Sequence, residues 1–275
     1  MSLVKKEEWW EETRNFKKTV KEEYLDINET LAELENNSSV IRLELNTIEL
    51  PLFSKDPKRI KNQIKIYHFK TDKSSYLEIE APANYSIPGE FEERVFIALT
   101  KIMKNNNYSR SFVVSANEIL ETLGLSNKAY YKRIREALTL LSKTNYTFLN
   151  SLYSNKESGI IEKKIMSNIM NITIISKKDS RAKEIEAFED GRIKEVYEIN
   201  FTDYFYENII RKGYLAFDSG KLLAIENSVS RAIYTIVEKW RGYDLYIKRQ
   251  AFFIARRIPL KWDKTQIKRT IDTME

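Results

Sequence analysis

Four cations, Lys128, Lys132, Arg133 and Arg135, are crowded into one short segment, and between Asn127 and Thr139 only Glu136 offsets them. Ammonium and guanidinium groups at this density do one kind of chemistry well. They neutralise phosphate and release the counterions that polyanions carry. Asn127 and Tyr130, at the start of the segment, have side chains of the kind that reach base edges or sugar-phosphate. A helix charged only for solubility usually mixes its signs. The bland alternative is a solvated face on an ordinary helical hairpin, since charge on exposed helices is common. Tyr131 is expected to pack inward, while Tyr130 is open to either side.

The elements that position these residues span 111–148 and read as strand, short helix, tight turn, long helix, strand. Ser115 and Glu118 form the S-x-x-E pattern of a reciprocal capping box, which fixes a helix start. Ile119, Leu120 and Leu123 give that helix an apolar face. Gly124 suits a left-handed residue after its end, and Ser126 is placed to cap the next helix. Tyr131, Ile134, Leu138 and Leu141 recur at steps of three and four, so they share one side. Two helices joined by a Gly-containing turn of three to four residues, the second one basic, is the pattern of a helix-turn-helix. The β-rich flanks suggest its winged variant. The expected wing has strands at 146–149 and 160–161, with Lys156 at its tip beside a groove or phosphate. Residues 171–176 and 195–200 read as a further hairpin, joined by a charged, mobile stretch at 177–192.

Elsewhere, Phe16, Val20, Tyr24, Ile27, Leu31 and Leu34 mark one long helix over 3–35, which docks on its own domain or pairs with a second copy as a homodimer. Residues 41–81 have a β pattern. After Pro88-Gly89, Phe91, Val95, Leu99, Ile102 and Met103 make a core-facing helical stripe. Glu92 and Glu93 are expected there as solvated charges. Thr202 caps a helix that Gly213 ends. A second unit is expected from 218, with helices at 222–226 and 230–240, the latter turning Ile233, Ile236, Val237 and Trp240 inward. Residues 250–257, the turn Ile258-Pro259-Leu260 and a helix over 264–274 capped by Asp263 form a second helix-turn-helix pattern. From Lys239 to Thr270 there are ten Lys/Arg against two Asp, and Arg256, Arg257, Lys261, Lys264, Lys268 and Arg269 are the candidate DNA contacts. The sequence stops before a second wing, so this unit is expected to be truncated.

The fold class expected is therefore α+β. A long N-terminal helix (1–39) precedes two tandem winged-helix-like domains, 40–217 and an incomplete 218–275. The 275 residues carry a net charge of +6, yet residues 1–39 hold six Lys/Arg against ten Asp/Glu. The basic body asks for an anionic partner. The absence of Cys removes thiol chemistry and Cys-based metal sites. With His68 as the one histidine, a two-histidine metal motif is impossible, and no phosphate-loop, dinucleotide-binding or nucleophile-elbow pattern occurs. No enzyme activity, metal or cofactor is expected. No stretch approaches a bilayer span and the N-terminus lacks a signal-peptide core, so a cytoplasmic protein with no membrane partner is the default.

Three phrases in order resemble the replication initiator protein A family of winged-helix plasmid initiators. They are Pro51-Leu52-Phe53-Ser54, the run YYKRIREALTLLSKTNYT after the turn, and SRAIYTIVEKWRG at 230–242. The resemblance covers roughly residues 45–245. It implies a protein that binds double-stranded DNA at repeated origin sites, helps open the duplex and recruits host replication proteins. Its first recognition helix would be 127–143 and its second would begin near Asp263. The alternatives are a winged-helix transcriptional regulator and a protein-interaction scaffold that uses the N-terminal helix.

Overall fold

The computed structural model describes residues 39–249 other than 71, together with 254, 257 and 258. The long helix expected over 3–35, and with it the homodimer contact, lies outside the described residues. So does the second helix-turn-helix apart from Ile254, Arg257 and Ile258.

The chain enters as β1 (Val40–Glu44) and the single-turn helix α1 (Leu45–Glu49). The antiparallel pair β2 (Ile64–His68) and β3 (Tyr76–Glu80) follows. Next comes α2 (Glu90–Asn105), whose predicted stripe of Phe91, Val95, Leu99, Ile102 and Met103 is buried. It is the spine of the molecule and packs against both helices of the helix-turn-helix.

Then come β4 (Ser111–Val114), α3 (Ala116–Thr122), α4 (Tyr130–Lys143) and β5 (Asn145–Leu149). A small hairpin, β6 (Tyr153–Ser154) with β7 (Gly159–Ile160), is followed by β8 (Lys164–Ser167) and β9 (Met170–Ser176). After two 3₁₀ turns, β10 (Glu195–Phe201) leads to α5 (Asp203–Ile210), β11 (Tyr214–Asp218), α6 (Ser219–Ala224) and α7 (Ser228–Arg241).

Two sheets frame the helices. One has the order β2-β3-β5-β8 and the other β4-β10-β9. Each is antiparallel within its pairs, and a separate pair joins β1 to β11. Residues 146–149 therefore do not make a wing with 160–161. β5 is an inner strand between β3 and β8, with Tyr146 and Phe148 fully buried, whereas Ile160 pairs with Tyr153. The hairpin expected from 171–176 and 195–200 forms in full register, Glu195 opposite Ser176 through Phe201 opposite Met170. Its connection is packed rather than loose. Ala182 and Phe188 from the two 3₁₀ turns bury against Ile175 and Val196, which gives the outer face of the hairpin a small core of its own.

The acidic pair at the start of α2 is not solvated. Glu92 accepts hydrogen bonds from the Gly89 backbone N–H (2.6 Å) and from Arg59 (2.8 Å). A Cβ at Gly89 would lie 2.6 Å from the Arg59 guanidinium, so glycine is needed for that approach. Glu93 meets Lys55 at 2.5 Å and Arg231 at 2.7 Å. On α7 the inward face is Arg231, Ala232, Thr235 and Ile236, while Ile233, Val237 and Trp240 are only half-buried. The ion pair with Glu93 pulls Arg231 inward and turns the helix face that apolar periodicity alone places differently.

A second buried polar knot ties the two ends of this body together. The Glu44 carboxylate is fully buried and accepts from Asn46 (2.6 Å), Asn208 (2.5 Å) and the Thr47 backbone N–H (3.0 Å). Desolvation outweighs these three donors and lifts its pKa to about 7.

Candidate nucleic-acid interface

The two helices expected around Gly124 form where the residues call for them. Ser115 Oγ accepts from the Glu118 backbone N–H at 3.2 Å and starts α3. Gly124 takes φ +70. The Leu125 N–H then reaches the Leu120 carbonyl (3.0 Å) and the Gly124 N–H reaches that of Glu121 (2.9 Å), the paired bonds that close a helix through a left-handed residue. The intervening turn runs longer than three to four residues, because α4 begins only at Tyr130. Ser126 does not cap it. Asn127 Oδ1 accepts from the Ala129 N–H at 2.9 Å and bends the chain into the helix. The side chain expected at a base edge is thus engaged in the turn.

From α4, Ile134, Ala137, Leu138, Leu140 and Leu141 are buried, and Lys132, Arg133 and Arg135 are exposed, as is Lys128 just before it. Both tyrosines are half-buried. Tyr130 stacks on Phe91 with ring centroids 6.1 Å apart, and the Tyr131 hydroxyl donates to Asn117 Oδ1 at 2.9 Å. The Arg133 guanidinium lies over the Phe91 ring, 4.1 Å from its centroid. Cations therefore leave α4 in two directions. Arg133 leans toward α2, while Lys128, Lys132 and Arg135, at steps of four and three, share a stripe facing β10.

Arg135 Nε donates to Glu195 Oε1 at 3.0 Å, and the same oxygen accepts the Tyr197 hydroxyl. The Tyr197 hydroxyl and the Glu195 carboxylate hold the Arg135 guanidinium firmly charged. Burial, helped by Glu195, pushes Tyr197 up to about 12. Between the α4 stripe and the end of the β9–β10 connection is a cleft of about 640 Å³. Lys128, Lys132, Arg192 and Lys194 line it alongside this ion pair. Arg192 is held by Asp190 at 3.1 Å. The structure thereby adds Arg192, Lys194 and Glu195 to the candidate surface. Arg192 ends the charged stretch expected as a connection and Glu195 opens the strand EVYEIN, so neither carries a local signal of its place beside α4.

Two sequence candidates lie away from this surface. Lys156 sits on the β6–β7 hairpin, next to Asn155, whose backbone N–H donates to Asn208 of α5 at 2.8 Å. Arg257 lies against the body, with Nη1 3.4 Å from the Glu49 carbonyl and its guanidinium 5.1 Å from the Phe69 ring centroid. Arg256, Lys261, Lys264, Lys268 and Arg269 lie outside the described residues. His68 ends β2, exposed and edge-to-face with Tyr76 at 6.0 Å. Among the described residues no cluster of metal-ligating side chains occurs, and no helix is long and apolar enough to cross a membrane.

The fold and this surface define a class, an α+β protein that presents a basic helix-turn-helix beside a three-stranded sheet. The family model for replication initiator protein A matches residues 42–246, and the chain belongs to that family. The family assignment makes it a DNA replication initiator. In fold it is similar to the crystal structure of domains 2 and 3 of RctB (selenomethionine derivative), with a TM-score of 0.54 at 13% identity over 81% of this chain and 80% of that one. A second crystal structure of RctB domains 2-3 gives 0.48 at 13% identity over 81% and 78%. No curated protein matches the chain in sequence.

Proposed function

We propose that the protein binds double-stranded DNA at repeated sites of a plasmid-type replication origin, with α4 as a recognition helix in the major groove. The observation that carries this reading is the outer face of α4. Lys132 and Arg133, with Lys128 just before them, are exposed on a helix whose opposite face is fully buried. A helix held this firmly on one side and cationic on the other suits a groove lined with phosphates.

The element order supports a winged-helix reading. Helix α2, strand β4, the helix-turn-helix and the hairpin β9–β10 give a sheet ordered β4-β10-β9. In this reading the wing is the 177–194 connection, which flanks the same side of α4 as the cleft. Lys128, Lys132, Arg133 and Lys194 make the backbone contacts, and the basic stretch beyond residue 239 supplies a second contact region on the same DNA. Family membership supports the further steps, origin opening and recruitment of host replication proteins.

A fluorescence-anisotropy titration with duplex DNA at several salt concentrations tests the proposal. Binding to random sequence should weaken linearly on a log–log salt plot, and an origin repeat should bind roughly 10³-fold or more tighter than random sequence. Absence of salt-dependent binding overturns the reading.

A further inference from the structure

Glu195 is an odd residue to find beside a surface built for phosphate. Its carboxylate projects into the cationic cleft and occupies Arg135, one of three cations on the stripe that faces the cleft. Lys128, Lys132 and Lys194 form no ion pair among the described residues, so the Glu195 charge is spent on Arg135 alone. Both partners remain partly open to water, with side-chain exposures of 58% for Arg135 and 28% for Glu195. Ion pairs this exposed are weak, and a phosphate, which guanidinium grips through two parallel bonds, competes well for the arginine.

The Tyr197 hydroxyl decides what happens to the carboxylate that is left behind. It donates to the same Glu195 oxygen that Arg135 uses. When Arg135 swings away, Glu195 keeps a hydrogen bond and its access to water, so no bare charge is stranded.

Building on the DNA-binding reading, we propose that Glu195 is an exchangeable counter-ion for Arg135. It keeps the guanidinium off DNA until a backbone phosphate enters the cleft between α4 and the 177–194 connection and takes the carboxylate's place. The exchange makes Arg135 contribute only when a duplex is seated deeply enough to fill the cleft. Loosely held DNA gains nothing from it, so Glu195 lowers non-specific affinity and widens the gap between random and origin sequence.

Salt titrations of the wild-type chain, Glu195→Gln, Arg135→Ala and the double variant with random duplex DNA test this. Gln keeps an oxygen for Tyr197 and removes the charge. Glu195→Gln should bind random DNA several-fold more tightly, with a log–log salt slope steeper by about one. The gain should vanish in the Arg135→Ala background. If Glu195→Gln instead binds more weakly and melts earlier, the pair is a structural clamp and the exchange is wrong. An unchanged affinity and slope also overturns it, since Arg135 then never reaches DNA. Failure of wild type itself to bind in a salt-dependent way would remove the DNA-binding reading, and the exchange with it.

Discussion

Arg231 of α7 places both Nε (3.1 Å) and Nη2 (2.7 Å) on one oxygen of Glu93 in α2, 138 residues earlier. Lys55 holds the other oxygen at 2.5 Å, and the side-chain exposures of Arg231 and Lys55 are only 1% and 3%. Glu93→Gln would leave two buried cations uncompensated. We expect it to cost about 3–5 kcal/mol, seen as a melting temperature lower by roughly 10 °C. Adding Arg231→Met should cost less than the two single losses summed, because the second change removes a charge the first one stranded. Thermal denaturation of the three variants checks both statements.

Stability should depend on pH in opposite senses at two carboxylates. Burial raises Glu44 from 4.5 to about 7, so between those values the folded state holds a proton the unfolded state has released. Its contribution falls as pH rises through that window, by roughly 3 kcal/mol in all. Glu93 runs the other way. Burial opposes its ionisation, but Lys55 and Arg231 prevail and depress its pKa. Its stabilisation is present above the unfolded value of 4.5 and is lost as pH falls through the lower folded one. Urea unfolding from pH 4 to 8 should show the Glu44 limb, and Glu44→Gln should flatten it. A limb that persists in that variant would assign the titration to another group.

Surface variants of α4 should separate binding from folding. Lys132→Ala should change stability by less than about 0.5 kcal/mol. Arg133→Ala loses its stack on Phe91 and about 0.5–1 kcal/mol with it. Each should weaken DNA binding at every sequence and lower the salt slope by about one. A large drop in melting temperature without loss of DNA affinity would mean that this face of α4 serves the fold.

The opposite face should respond in the opposite way. Ile134 and Leu138 are 0% and 1% exposed, so truncation of either to Ala should cost about 2–5 kcal/mol. Chemical denaturation measures this directly, with the slope m unchanged if the folded state stays compact.

Local grammar was readable in the residues. Ser115, Gly124 and the Ile134–Leu138–Leu141 spacing locate the helix-turn-helix because caps, left-handed turns and amphipathic faces depend on neighbours a few positions away. What the local residues do not show depends on distant partners. Glu93 is shielded by one cation, Lys55, from the loop before β2 and another, Arg231, from α7. Arg135 finds its carboxylate 60 residues on. The residues of β5 suit a wing as well as an inner strand, because a strand's own pattern does not say which strand lies beside it. The packed 177–194 connection was hidden for a related reason, since Phe188 and Ala182 are too few and too far apart to make a periodic signal.

The tie between Glu44 and Asn208 closes across 164 residues. A ribosome adding about 5–20 residues per second needs on the order of 10–30 s to deliver the second partner after the first. For that interval β1 has no β11 to pair with, and Ile41 and Leu43, both buried in the finished protein, face solvent or a chaperone. Synthesis therefore passes through an interval in which β1 is an unpaired apolar strand edge, and because Ile41 and Leu43 are buried in the finished protein, that edge has to be shielded during synthesis rather than made polar.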